Sequence, residues 1–327
     1  MNNRKMEKRI TLKDKIEKGG GSEITICIAY VALCLIFSIL TPNFLSGKNF
    51  INIGIYSAIM GITAAATTLV LICGCIDISV GAIMGLTGMS SALMLKAGVP
   101  IGLTVLIAVL IGALVGIVNG LLVSKGKIVP MIATMATMSI TRGIAYLTNG
   151  GISIVVSNKQ FTWLGRGYVG PIPFILIVMV VVYMAMFYVS KYTAYGRKLY
   201  ATGSNQRAGY LAGINTDQVI LSVYVINGVF AGVSGILMAA QSGAGLPTAG
   251  DGYEMTIISA CVLGGTSING GKGNVWGTLV GVLLLTSISN GLTMLGISSF
   301  WQQIIKGVIL LAAVLIDAWR GGSYKKV

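Results

Sequence analysis

Uncharged hydrogen-bonding side chains interrupt the apolar stretches of this 327-residue sequence, and they are its first candidates for chemistry. Inside a membrane each of them needs a hydrogen-bonding partner or a water-filled cavity. Neutral donors and acceptors suit a polyhydroxylated solute such as a sugar, whereas hydrogen bonding between helices is the alternative for any one of them. The candidates for a polar path are Asp77, Asn119, Thr134, Thr137, Asn227, Glu254 and Asn290.

The sequence contains few residues that could perform acid–base catalysis or bind a metal. The chain has nine acidic residues and no histidine, so the commonest general base and metal ligand is missing. We therefore expect neither an enzyme nor a metal or other cofactor. Asp77, Asp251 and Glu254 lie near the ends of apolar stretches, where we expect them to cap backbone N–H groups or pair with a cation. An ion- or proton-driven carrier, the alternative, would use Asp77 or Glu254.

Nucleotide binding lacks its usual motif. The phosphate-binding pattern Gly-x-x-x-x-Gly-Lys-[Ser/Thr] is absent, and Gly271-Lys272-Gly273 lacks both the upstream glycine and the hydroxyl residue. If ATP drives this protein, another subunit must bind it.

The elements that position these residues are apolar helices. Hydrophobic residues make up 55% of the chain and charged residues 10%, against about 25% charged in soluble domains. The mean hydropathy is +0.86. We predict an all-α, polytopic membrane helix bundle of about ten transmembrane helices. The apolar stretches are 24–40, 54–72, 79–95, 101–123, 129–147, 172–189, 218–240, 253–267, 275–293 and 298–317.

Two of these stretches, 79–95 and 253–267, are short and adjoin glycine-rich breaks. They are expected to be broken or re-entrant helices. Glycines also recur every fourth residue within longer stretches, which predicts close helix packing inside the bundle or, alternatively, a dimer interface. These glycines are Gly112, Gly116, Gly120, Gly228, Gly232, Gly277 and Gly281.

Basic residues predict the orientation. With ten spans, 17 lysines and arginines lie on the side of the termini and 4 on the other side. The positive-inside rule then places both termini in the cytoplasm. It also explains the net charge of +14 without nucleic acid. The predicted parts are a basic tail at 1–23, one transmembrane domain at 24–317 and a tail at 318–327, and we expect the first apolar stretch to be retained as a span.

The cytoplasmic loop at 190–217 is long enough to have its own structure. Asn205 is positioned to cap a short helix that Gly213 would end. Such a helix could insert into a groove of a partner, although an inert surface helix fits the pattern as well. The candidate coupling residues are Gly203, Asn205, Arg207, Ala208 and Gly213.

Four stretches resemble the permease subunits of ribose-type ABC sugar importers, in the branched-chain and monosaccharide permease family, and they occur in the same order. They are 74–81 (GCIDISVG), 119–123 (NGLLV), 195–214 (from YGR through GSNQRA to GI) and 264–273 (GGTSINGGKG).

The resemblance runs from about residue 25 to 318. It implies a dimer of permeases, homodimeric or with a close paralogue, in the bacterial plasma membrane. It also implies two cytoplasmic ATPase domains, a coupling helix at 203–214 that contacts them, and an extracytoplasmic protein that delivers a monosaccharide.

Overall fold

The computed structural model of the chain describes residues 21–320, with side chains for 26–309, 311, 312 and 315. Within that range the chain forms thirteen α-helices and four two-residue strands. The helices are α1 (Gly21–Leu40), α2 (Gly47–Ile72), α3 (Val80–Lys96), α4 (Ile101–Ser124), α5 (Pro130–Leu147), α6 (Lys159–Arg166), α7 (Phe174–Tyr192), α8 (Ala194–Ser204), α9 (Gln206–Leu211), α10 (Thr216–Ser242), α11 (Tyr253–Leu263), α12 (Val275–Met294) and α13 (Ser299–Arg320).

Each predicted apolar stretch overlaps one helix of the described range, and this confirms the prediction of an all-α membrane bundle. Five helices, α2, α4, α7, α10 and α12, are long and apolar enough to cross a membrane. The number of crossings and the side of the termini stay predictions. Most of the two predicted tails, 1–23 and 318–327, lies outside the described residues.

Two central helices, α2 and α10, hold the bundle together. The second half of α2, from Ser57 to Ile72, is buried at every position. Helix α10 packs against α2, α3 and α4. In contrast, α4 exposes Leu106, Leu110 and Leu114 on its outer face. Such a face fits contact with lipid, because lipid tails solvate apolar side chains without cost.

The glycine repeats pack inside this chain. A methyl group on Gly112 would collide with the carbonyl oxygen of Gly228, and one on Gly116 would collide with the carbonyl oxygen of Tyr224. These contacts bring the backbones of α4 and α10 together. Gly281 approaches the backbone of Ala260 in the same way, which joins α12 to α11. The glycine faces therefore pack against other helices of the same chain.

Two short helices, α3 and α11, adjoin glycine-rich breaks in the chain. After α2 ends, the chain turns at Gly74 (φ +77°) and runs without regular structure to Ser79, where α3 starts. Helix α11 has only 11 residues, and its end at Gly264 packs against Gly277 in the first turn of α12. The two short stretches thus form continuous helices of 17 and 11 residues beside glycine-rich breaks, and whether they are re-entrant stays a prediction.

We call the end of the bundle that holds 190–217 and 264–274 the inner end, in line with its predicted cytoplasmic location. The 190–217 region contains α8 as well as the short helix α9 that the sequence predicts. The opposite, outer end holds α6 and two small antiparallel sheets. Strand β1 (Ile154–Val155) pairs with β4 (Ala244–Gly245), and β2 (Tyr168–Val169) pairs with β3 (Ile172–Pro173).

Candidate translocation and coupling sites

A hydrogen-bonded network surrounds the carboxylate of Asp77, which is fully buried between α2 and α3. Its Oδ2 accepts from Asn227 Nδ2 at 2.9 Å, and its Oδ1 accepts from the backbone N and the Oγ of Ser79 at 2.9 and 2.6 Å. Asn227 in turn accepts from Thr67 Oγ1 at 2.9 Å. Asp77 therefore ties α2 and α10 to the start of α3.

The network continues into α4 and α5. Asn119 Nδ2 donates to Ser79 Oγ at 2.8 Å, and Asn119 Oδ1 accepts from Thr137 Oγ1 at 2.6 Å. One turn earlier in α5, Thr134 Oγ1 accepts from the backbone N of Ile78 at 3.2 Å. The unwound stretch before α3 thus obtains its hydrogen bonds from side chains, as backbone at membrane depth must.

Five of the seven predicted path residues meet in this network: Asp77, Asn119, Thr134, Thr137 and Asn227. Sequence reasoning missed Ser79 and Thr67. The Asp-x-Ser spacing before a helix is a signal for Ser79, because an aspartate often bonds the backbone two residues on. Thr67 carries no comparable signal, since a lone threonine in an apolar stretch looks like any packing residue.

Glu254 lies beside the network, in the first turn of α11, with 8% of its surface exposed. Its Oε2 has no hydrogen-bond partner. It lies against Gly81 in the first turn of α3, where a methyl group would collide with it. One turn along α3, Gly85 makes room for Arg142, whose Nη1 donates to the carbonyls of Pro247 and Ala249 at 2.7 and 2.8 Å.

Asn290 lies apart from the other six path candidates. Its side-chain amide and that of Asn49 donate to each other, with both N···O distances at 3.0 Å. Asn49 Nδ2 also donates to the carbonyl of Phe44 at 2.9 Å. The pair joins α12 to the start of α2, so its donors and acceptors serve helix packing.

Helix α9 begins and ends as its sequence predicts. Asn205 Oδ1 accepts from the backbone N of Ala208 at 2.9 Å, and Gly213 with φ +83° follows the last turn. Tyr210 and Leu211 project from this helix with 70% and 78% of their surface exposed. Two adjacent apolar side chains at an aqueous end of the bundle are a feature of protein-binding surfaces.

A cleft of about 420 Å³ opens beside α9 at the inner end. It is bounded by the α4–α5 loop, α9 and the start of α10. Lys127 Nζ and Asp217 Oδ1 form an ion pair of 2.7 Å across it. Lys127 has φ +53° and is the only non-glycine residue of the described range with a positive φ. The full lining is Lys127, Gln206, Arg207, Tyr210, Asn215, Thr216 and Asp217.

Three of the four stretches that carry the family resemblance meet at one glycine junction at the inner end. Gly271 donates its backbone N–H to the carbonyl of Ile72 at 2.8 Å. Gly203 lies so close that a methyl group there would collide with the same carbonyl, and Gly270 lies against Gly74. The end of α8 is therefore in backbone contact with the end of α2 and the α11–α12 loop.

Tyrosine hydroxyls secure α8 to its neighbours. Tyr195 shares a hydrogen bond of 2.7 Å with Ser222 of α10, and Tyr200 donates to the carbonyl of Gly273 at 2.9 Å. Burial raises the pKa of Tyr195 to about 12, although the bond to Ser222 lowers it. The hydroxyl therefore stays protonated and neutral at physiological pH.

Known proteins are similar to this chain over most of its length. The family model described as "Branched-chain amino acid transport system / permease component" matches residues 49–314. The ribose import permease RbsC of Bacillus subtilis is 42% identical over 287 residues, which are 87% of this chain and 89% of that protein. The RbsC of Escherichia coli K12 is 38% identical, covering 89% and 92% respectively.

A relative with another sugar in its name is similar over the same length. The L-arabinose transport system permease AraH of Escherichia coli K12 is 33% identical and covers 92% of both chains. No solved structure matches this chain. The matched residues include the Asp77 network, Glu254, α9 and the glycine junction. The chain belongs to the family of branched-chain amino acid transport system permease components.

Proposed function

We propose that this chain is the membrane-spanning permease subunit of an ATP-driven importer of a monosaccharide, a ribose-like pentose or a hexose. The observation that carries the proposal is the 42% identity with a ribose import permease over nearly the whole of both proteins. The arabinose permease of E. coli supports a sugar as the solute class. The chain would work by alternating access and hold no nucleotide itself.

The proposal includes the other subunits of the importer. A cytoplasmic ABC ATPase subunit binds at α9, an extracytoplasmic sugar-binding protein delivers the solute, and a second permease copy forms the other wall of the path. Both termini lie in the cytoplasm of a bacterial cell, and the inner end faces the same side. The basic residues around the inner end support this orientation.

The coupling residues have distinct tasks in this proposal. Asn205 caps α9 through Ala208, Gly213 ends it, and Gly203 seats the end of α8 on the glycine junction. Arg207 lines the cleft between α9 and α10. Closure of the ATPase would push on α9 and reach the membrane helices through the junction.

Along the path, the Asp77 network supports the unwound start of α3, and Glu254 lies nearest to the solute. Asn290 takes a packing role instead, because its amide is engaged with Asn49.

Reconstitution with the ATPase and the binding protein tests the function. We expect sugar uptake into proteoliposomes that requires ATP and both partners. Leu211→Ser and Tyr210→Ser are expected to reduce sugar-stimulated ATP turnover, because both side chains project from α9. Tyr192→Ser is the control, since Tyr192 is also exposed at the inner end but lies outside the cleft. Uptake by the chain alone that an uncoupler abolishes would instead establish the ion-driven carrier.

A further inference from the structure

Residues 246–252 form an irregular segment that enters the bundle from its outer end. The segment follows β4 and leads into α11, whose last residue lies level with the first turn of α12 at the inner end. Since α11 has 11 residues, its start lies about 16 Å from that end, near half of the roughly 30 Å hydrocarbon thickness. Irregular backbone at this depth must be buried in protein or face water.

Part of the segment is buried against α3. Gly250 packs on Gly81, and Arg142 holds the carbonyls of Pro247 and Ala249. The other part is exposed, at Thr248, Asp251 and Gly252. A carboxylate exposed at mid-membrane depth is incompatible with lipid, in contrast to the leucines that α4 exposes. This surface therefore faces water.

Glu254 adds an unfilled acceptor to that surface. It is more than nine-tenths buried, and its Oε2 has no partner. The first turn of α3, which faces this oxygen, has no side-chain cap, and neither has the first turn of α11. Two helix N-termini therefore meet at this unfilled carboxylate oxygen.

We infer that Glu254 is the group that binds a hydroxyl of the solute half-way across the membrane, in a polar station formed with Arg142, Asp251 and the 246–252 segment. This inference rests on the proposed function and names the contact that the function requires. A neutral polyol fits the station, because the guanidinium of Arg142 is a hydrogen-bond donor and the side chains of Asp251 and Glu254 are acceptors. Its hydroxyls can donate to Oε2 of Glu254.

Transport kinetics test the role of the carboxylate. D-ribose and its monodeoxy analogues, with L-arabinose as a second sugar, are offered to the complete reconstituted importer at saturating binding protein. Glu254→Gln keeps the shape but makes the hydrogen bond neutral, and we expect sugar uptake to fall about tenfold. We also expect one analogue to be transported poorly by the wild type and no worse than ribose by the variant.

Ser259→Ala is the matched control, because the Ser259 hydroxyl bonds the carbonyl of Met255 within α11 and lies one turn further from the station. Wild-type rates and an unchanged analogue pattern in Glu254→Gln would overturn the inference while sugar import stands. A sodium gradient that drives uptake without ATP would overturn both. If the wild type imports neither sugar, the sugar part of the proposed function fails. The inference is then tested by whether the station is accessible to water, as follows.

Accessibility is measured with a single introduced cysteine and a hydrophilic thiol reagent. Asp251→Cys should react, because a thiolate forms only in contact with water. Leu110→Cys, exposed half-way along α4, should not react, and the wild-type chain gives the background from its own cysteines. Added ribose is expected to slow the labelling of Asp251→Cys. Equal inertness of the two variants would show that the surface is not lined by water and would overturn the station.

Discussion

Asn227 Nδ2 donates to Asp77 Oδ2 over 2.9 Å and so joins residues that lie 150 positions apart in the chain. Asn227 is on the central helix α10, and Asp77 is in the unwound stretch before α3. Through Ser79, Asn119 and Thr137 the same network reaches α4 and α5. One buried carboxylate therefore holds the start of α3 in place next to the proposed path.

Removal of this carboxylate should destabilise the chain. Asp77→Ala leaves the buried donors of Asn227 and Ser79 without an acceptor, and we expect a loss of about 3 kcal/mol in the free energy of unfolding. Thermal melting of the detergent-purified chain measures the effect. Asp217→Ala, which removes an exposed acid, should change stability by less than about 1 kcal/mol. Equal melting temperatures for the two variants would contradict the network.

The contact between α4 and α10 should tolerate no side chain at its glycines. In Gly112→Ala the new methyl group meets the carbonyl oxygen of Gly228, so we expect a loss of about 1–3 kcal/mol. Gly143→Ala is the control, because nothing lies within 4 Å of the new methyl group and alanine favours helix. The thermal melting temperatures of both variants in the same detergent measure the difference in stability. A Gly112→Ala variant as stable as Gly143→Ala would refute the close approach.

The glycine junction should affect coupling more than it affects the transmembrane bundle. Gly203→Ala places a methyl group on the carbonyl of Ile72 and forces α8 away from the end of α2. We expect sugar-stimulated ATP turnover and uptake to fall together, whereas ATP turnover without sugar remains. In Gly209→Ala the nearest atom would lie 3.5 Å from the methyl group, and this variant should behave as the wild type. Full coupling in Gly203→Ala would exclude the junction as the route.

The ion pair between Lys127 and Asp217 should matter for coupling rather than for stability. Both side chains are more than 40% exposed, at 62% and 43%, so the pair contributes less than about 1 kcal/mol. It does, however, connect the α4–α5 loop to the start of α10 beside α9. Lys127→Asp is expected to lower sugar-stimulated ATP turnover about fivefold.

Charge reversal provides the rescue for this variant. Asp217→Lys combined with Lys127→Asp restores opposite charges across the cleft, and the coupled turnover should recover. Lys125→Asp is the control, because Lys125 forms no ion pair with any described side chain. A double variant no better than Lys127→Asp would mean that Lys127 acts alone, for example by direct contact with the ATPase.

Local sequence signals predicted much of the fold. The apolar stretches overlap ten of the helices because helix-length hydrophobic runs have one stable form in a bilayer. Flanking glycines marked the ends of the two short helices, because glycine alone fits the turn at Gly74 and the close contact at Gly264. Asn205 and Gly213 predicted both ends of α9, because caps act on backbone groups within a few residues.

The sequence also predicted which polar residues belong to the candidate site, but not which of them bind each other. Polar residues in apolar stretches stand out because they are unfavourable in lipid, and this criterion identified Asp77, Asn227, Glu254 and Asn290 alike. Only the three-dimensional packing decided that Asp77 and Asn227 bind each other, that Asn290 binds Asn49, and that Oε2 of Glu254 is unfilled. Which residue a polar side chain bonds to depends on which helices are in contact. The sequence shows that a side chain can form hydrogen bonds, but not how far it lies from side chains on other helices.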